Sequence, residues 1–179
     1  MVSRNVGEYR YPLGGKLYVF NKNENIGFIK GHMCSPAIAT QAEDLIAGGV
    51  KELIHVGYAG GLQPELVPGE IILTDGAFND TAVARLYGYD YDIIHSSKDL
   101  TNEIEEMITS AEILYKRGFH WTTDAGYRET WGQVMDYRDK GALCVEMEGV
   151  GLFTIANYRK CVATGIYVCL LYTSDAADD

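Results

Sequence analysis

Two carboxylates flank a thioether at Glu146-Met147-Glu148, directly after the apolar run Ala142 to Val145. The run reads as a buried strand, and Gly149 to Tyr158 after it reads as a helix. A strand delivering acids to its C-terminal end is how an open α/β sheet builds a small-molecule site. The same residues also suit a plainer arrangement, in which one Glu caps the next helix and the Met fills core. Two other stretches invite chemistry. Val50 to Val56 reads as a strand that runs into Gly57-Tyr58-Ala59-Gly60-Gly61-Leu62. A Gly-rich loop there would turn N–H groups toward an anion, or simply make a tight turn. No helical pattern follows at the spacing of the dinucleotide fingerprint. Asp124 to Thr130 is a polar cluster at the end of a further strand, Phe119 to Thr123. Arg128 and Glu129 there can meet a ligand or pair with neighbours at a helix start.

Composition narrows the chemistry. The formal net charge of −10 argues against a nucleic-acid groove, and an anionic substrate would need a local cationic pocket. His32, His55, His95 and His120 are scattered, and no metal site is expected. Cys34, Cys144, Cys161 and Cys169 lack framework spacing and read as reduced thiols of a cytoplasmic protein. Met1 to Tyr11 lacks the apolar core of a signal peptide, and no run reaches the ~20 apolar residues of a membrane span.

The elements that must position these residues follow from periodicity. Met1 to Gly15 reads as irregular, with a turn at Pro12 and Gly14-Gly15. Lys16 to Phe20 and Ile26 to Ile29 read as a hairpin. Ser35 as N-cap and Pro36 at the first position open a helix that Gly48-Gly49 ends. Glu70 to Thr74 is a strand, and Asp75 to Asp92 reads as a long Tyr-rich loop. Asp99 to Gly118 reads as one amphipathic helix, with Ile104, Met107, Ile108, Ala111 and Leu114 on a face and Lys116-Arg117 suiting its C-terminal dipole. Trp131 to Lys140 reads as helix and Cys161 to Val168 as the last strand. Alternating helices and strands predict an α/β fold, a three-layer α/β/α domain over residues 1–168 with a twisted, mostly parallel mixed sheet.

Several pieces then coincide. Gly31 to Ile46 reads G-H-M-C-S-P-A-I-A-T-Q-A-E-D-L-I, and Lys51 to Leu62 reads K-E-L-I-H-V-G-Y-A-G-G-L. Val67 to Ala77 reads V-P-G-E-I-I-L-T-D-G-A, Trp121 to Thr130 reads W-T-T-D-A-G-Y-R-E-T, and Val145 to Gly149 reads V-E-M-E-G. In this order they resemble the nucleoside phosphorylase family, which includes uridine phosphorylase, hexameric purine nucleoside phosphorylase and related nucleosidases. The resemblance runs from about Gly31 to Val168.

The resemblance implies a pentosyltransferase. It would cleave the N-glycosidic bond of uridine or a purine nucleoside with phosphate, giving free base and ribose 1-phosphate. A hydrolytic nucleosidase and a non-catalytic nucleoside-binding homologue are the alternatives. Glu146, Met147 and Glu148 would lie under the ribose, with Glu148 taking the sugar hydroxyls and stabilising the oxocarbenium-like transition state. Gly31, His55, Gly57 and Tyr58 would form the phosphate side. Tyr127 and Arg128 would read the base. Phosphate is the co-substrate, no other cofactor is implied, and assembly as a dimer, trimer or hexamer is expected.

The chain departs from the family at several positions. His55 stands where phosphorylases carry Arg, and His cannot match the Arg fork on phosphate. Tyr58 stands where Ser or Thr is usual, and Gly126 where an aromatic residue is common. No N-terminal Gly-Asp-Pro loop is present, and Arg4 and Arg10 do not match its arginine. Leu170-Leu171 occupies the place of the Ser-Asp whose acid protonates the leaving base; Asp175 falls about four residues late and is not assigned that role. Residues 169–179 read as a tail foreign to the fold, so the 179-residue chain itself is expected to turn over weakly or not at all.

Overall fold

A computed structural model describes residues 3–9 and 15–170. The expected turn from Pro12 and the segment holding Asp175 lie outside the described residues. An antiparallel three-stranded sheet opens the chain: β1 (Ser3–Tyr9), β2 (Gly15–Phe20) and β3 (Asn23–Phe28). The hairpin is where the sequence puts it. The segment before it, read as irregular, instead pairs with β2 from Ser3↔Phe20 to Tyr9↔Gly15.

The remaining elements are α1 (Ser35–Ala47), β4 (Glu52–Gly61), β5 (Ile71–Asp80), α2 (Val83–Leu86), β6 (Ile93–His95), α3 (Lys98–Ser110), β7 (Tyr115–Thr123), α4 (Trp131–Asp139), β8 (Cys144–Glu146), α5 (Gly149–Arg159) and β9 (Val162–Leu170). The six strands run in the order β6-β5-β7-β8-β4-β9. The long pairings β4–β9 and β5–β7 and the short pairing β7–β8 are parallel, as expected of a mostly parallel mixed sheet. The sheet also curls on itself, because Ile71–Leu73 of β5 pairs antiparallel with Val168–Ile166 of β9.

Helices cover both faces. α1, α2 and α5 pack on one side around Ile38, Ala42, Val150, Phe153 and Ala163. On the other side, Leu100, Ile104 and Ile108 of α3 cover Leu73, Val162 and Ile166. Ala163 serves the first cluster and Val162 and Ile166 the second, as strand alternation requires. α5 is buried from Gly149 to Ala156, the mark of a helix enclosed on all sides. α4 opens with a capping box between Thr130 and Gln133.

Five readings need correction. Ser35 is the first residue of α1 and Cys34 its N-cap, because the Ser35 hydroxyl is used elsewhere, on the Met147 carbonyl. Gly57 to Gly61 is strand rather than loop: Gly57–Gly60 is in register with Tyr167–Leu170, and Gly61 pairs with Cys144. The supposed loop from Asp75 begins as strand, since β5 continues to Asp80 with Gly76–Asp80 alongside Phe119–Thr123, and it then holds the short helix α2. Finally, α3 stops at Ser110, Glu112 turns the chain with φ 56°, and Tyr115–Gly118 pairs with Ile71–Thr74. Met107 and Leu114 are therefore exposed, and Arg117 is a strand residue paired with Asp75 and Glu105. The last strand also runs past the expected boundary at 168: Cys169 is buried and opposite Ala59.

Candidate active site

The site grows from the turn between β8 and α5. Glu146 ends β8 beside Thr122 of β7, and its side chain folds back under the turn. Its carboxylate accepts the N–H groups of Glu148 (2.8 Å) and Gly149 (2.8 and 3.0 Å), the Thr122 hydroxyl (2.5 Å) and His120 Nε2 (3.1 Å). Helix N-termini leave such N–H groups without intrahelical partners, and a carboxylate there satisfies them and the helix dipole together. Burial pushes the Glu146 carboxyl up, but His120, Thr122 and His55 more than offset this and hold it below the usual range. Glu146 was expected under the ribose. At 5% exposure with both oxygens engaged, it is instead the internal anchor of the turn.

Met147 and Glu148 are the half-buried residues that the anchored turn presents. Glu148 Oε1 accepts the Cys34 N–H at 2.6 Å, and Ser35 Oγ donates to the Met147 carbonyl at 3.1 Å. The start of α1 thus grips the turn. A carboxylate has about four acceptor positions, so one backbone bond leaves Glu148 capacity for two hydroxyls. Burial, with Glu146 adding to it, raises the Glu148 pKa.

Cys34 makes its contact at φ 71°, ψ 150°, a region essentially reserved for glycine. Such strain costs about 1–3 kcal/mol, whereas a glycine costs about 0.5–1 kcal/mol in chain entropy. Cys34→Gly is therefore expected to stabilise the fold by about 1 kcal/mol, read as a rise in Tm of roughly 2–4 °C. An unchanged or lower Tm would show that the conformation is unstrained.

The loop before Cys34 is held by Gln41 of α1, only 2% exposed. Its amide donates to the Lys30 carbonyl and accepts the His32 N–H, clamping Gly31 from both sides. His55 comes up to this loop: a Cβ on Gly31 would lie 3.9 Å from His55 Nε2, and one on Gly57 would lie 3.4 Å from His55 Cε1. Gly31, His55 and Gly57 are therefore brought together. Tyr58 is not. Along β4 successive side chains alternate, so Tyr58 faces away from His55 and is 70% exposed. His55 Nδ1 is 3.4 Å from the buried Tyr167 hydroxyl, and burial lowers its pKa, favouring the neutral imidazole.

Tyr127 and Arg128 lie on the short 3₁₀ turn Gly126–Arg128. Both are exposed, Tyr127 fully, and the structure does not bring them to the platform. Gly126 is the member that faces it, since a Cβ there would lie 3.9 Å from Met147 Sδ. Asp124, just before, accepts the Ala82 N–H and lies near enough to Cys34 to raise its thiol pKa after burial and Glu148.

This arrangement is a carboxylate and a thioether presented at a strand end, a histidine and two glycines on one side, and an open glycine on the other. Comparisons with known proteins show the family. The sequence matches the family model of the phosphorylase superfamily over residues 4–179. The chain belongs to that superfamily. Among curated relatives, the purine nucleoside phosphorylase DeoD-type of Exiguobacterium sibiricum is 32% identical over 128 residues, covering 70% of this chain and 54% of the relative. That of Caldanaerobacter subterraneus subsp. tengcongensis is 33% identical over 141 residues, covering 73% and 60%. That of Bacillus cytotoxicus is 32% identical over 123 residues, covering 68% and 52%. The matches thus span little more than half the length of these relatives.

Four contributors to this phosphorylase-superfamily site escape a sequence reading: the Cys34 backbone, Gln41, His120 and Thr122. The last three are buried polar residues on apolar elements. A polar residue at a core-facing position, as in His120-Trp121-Thr122, was the available signal. Among the described residues, no group of three or more His, Cys, Asp or Glu side chains is arranged to hold a metal ion, and no helix is long and apolar enough to cross a membrane.

Proposed function

We propose that this chain carries the sugar platform of a nucleoside phosphorylase that cleaves a ribonucleoside with phosphate to free base and ribose 1-phosphate. The observation that carries the reading is the Glu148 carboxylate, fixed by the Cys34 N–H at 2.6 Å beside Met147 at the end of β8. Glu148 accepts the 2′ and 3′ hydroxyls, and Met147 packs on the apolar sugar face. As the glycosidic bond breaks, positive charge grows on the ribose, and the carboxylate attracts it more strongly than the ground state. Phosphate approaches from the side of Gly31, His55 and Gly57. The base lies over Gly126, and the activity named for the relatives supports a purine. No cofactor beyond phosphate enters.

One observation favours a second reading, hydrolysis. Burial lowers the His55 pKa and so weakens the positive charge it can offer phosphate. Incubation of the chain with inosine, at stoichiometric enzyme and with or without phosphate, separates the two. Phosphate-dependent ribose 1-phosphate is the expected product, and free ribose formed without phosphate would contradict it.

Binding follows pH with a defined sign. Ionised Glu148 accepts both hydroxyls, and its pKa is raised. Affinity for inosine is therefore expected to fall on acidification at a higher pH than an unperturbed glutamate would give, while an analogue lacking both hydroxyls shows no such step. The stability linkage runs oppositely: a raised folded pKa stabilises the fold below the unfolded value, and that contribution is lost as pH rises through the folded one. Titration at several pH values checks the binding step.

Homo-oligomeric assembly in the cytoplasm completes the proposal. Ile54, Val56 and Tyr58 form an exposed apolar stripe along one face of β4, which supports cover by a further copy. Four unpaired cysteines support a reducing compartment.

A further inference from the structure

His120 is wholly buried, yet it belongs neither to the apolar core nor to the face that meets a ligand. Its ring is fixed on every side. Nδ1 lies 2.6 Å from Thr74 Oγ1 on β5, and Thr74 Oγ1 in turn accepts the Gly76 N–H at 3.1 Å. Nε2 lies 3.1 Å from Glu146 Oε1 on β8. A carboxylate only accepts, so Nε2 carries the proton and donates. The ring centroid stands 4.9 Å from that of Tyr167 and 6.0 Å from that of Phe153. Gly149 has no room for a side chain, since a Cβ there would collide with His120 Nε2 and meet Glu146 Oε1 at 3.1 Å. The imidazole therefore packs directly against the backbone of the turn that carries Glu148.

A structural anchor alone does not need this arrangement. An aliphatic residue would fill the space between Tyr167 and Phe153, and Thr122 with two backbone N–H groups already serves Glu146. A histidine adds direction. It ties Glu146 to β5 across β7, so the height of the turn above the sheet is set by a chain of hydrogen bonds as well as by packing. We propose that His120 is a positioning residue, which through Glu146 sets where the Glu148 carboxylate stands under the ribose hydroxyls. This rests on the ribose reading of Glu148. A carboxylate displaced by a fraction of an ångström keeps its charge but loses the alignment that two hydroxyls require.

The test compares affinities for inosine and for its analogue lacking the 2′ and 3′ hydroxyls, by calorimetry on the 179-residue chain. The variants are His120→Asn, which keeps the reach to Thr74 but not to Glu146, His120→Gln, which keeps the reach to Glu146, and Glu148→Gln. The chain is expected to prefer inosine. His120→Asn is expected to lose about tenfold of that preference, roughly one well-aligned charged hydrogen bond, with affinity for the analogue unchanged. His120→Gln is expected to recover most of it. A merely structural role would lower Tm in both His120 variants and leave the preference alone, and that result overturns the proposal. If Glu148→Gln also keeps the preference, the ribose reading falls too, so the two failures are distinguished. A second measurement needs no variant: the His120 Nε2 proton resonance is expected to shift with inosine and not with the analogue, and equal responses overturn the proposal.

Discussion

Glu148→Gln is expected to lower affinity for inosine on the order of 100-fold, about 2–3 kcal/mol, since hydrogen bonds to charged groups contribute roughly 1.5–3 kcal/mol and two are weakened together. The amide keeps the shape and one acceptor oxygen, which the Cys34 N–H takes up. What it removes is the negative charge and the second acceptor. The turn should survive, because Glu146 anchors it independently through Thr122, His120 and two backbone N–H groups. The variant should therefore keep its Tm within a few degrees while losing the preference for a sugar bearing both hydroxyls. Any turnover should fall further than binding does, by about 10²–10³ in rate as for other lost transition-state stabilisers. Equal titration curves for the chain and the variant would remove Glu148 from the site.

The second large effect concerns the fold beneath the site. Gly151→Ala is expected to cost about 1–3 kcal/mol, as overpacking does, and to lower Tm by roughly 4–10 °C in a thermal melt. A Cβ at position 151 would stand 2.5 Å from the Ser35 carbonyl oxygen and 2.8 Å from Ser35 Cα. Both are backbone atoms, so relief requires α1 and α5 to move apart. That movement would pull Ser35 from the Met147 carbonyl and Cys34 from Glu148, and affinity for inosine should fall with stability. Gly132→Ala is the control, since nothing lies near its missing Cβ. A Gly151→Ala variant as stable as that control would contradict the close contact of the two helices.

Much of this was legible from the residues. The strand, the acidic turn and the helix from Gly149 follow from an apolar run, polar punctuation and renewed apolar periodicity. Of the residues named by the family resemblance, the structure brings Gly31, His55 and Gly57 together and carries Met147 and Glu148 on one turn gripped by Cys34 and Ser35. Other parts were hidden for physical reasons. Gly57 to Gly61 reads as loop because glycine carries no β signal, yet the ladder to β9 decides its conformation. Tyr58 is adjacent to Gly57 in sequence but on the opposite face, since a one-residue step along a strand reverses a side chain. The helical period of α3 continues through Leu114 in sequence, but pairing of Tyr115 with Ile71 overrides it. His120 could not be assigned from its own neighbourhood, because its partners are Thr74, 46 residues earlier, and Glu146 on the next strand. Glu146 takes the capping reading of the motif, which leaves Glu148 as the acid for the proposed ligand role.

The most direct test is a crystal structure of this chain soaked with inosine. The account predicts the ribose on Met147, with its 2′ and 3′ hydroxyls both within about 2.6–3.2 Å of Glu148 carboxylate oxygens, and with Glu146 still turned inward on Thr122 and His120. Inosine bound with its sugar away from Glu148, or with its hydroxyls on Glu146 instead, would contradict it.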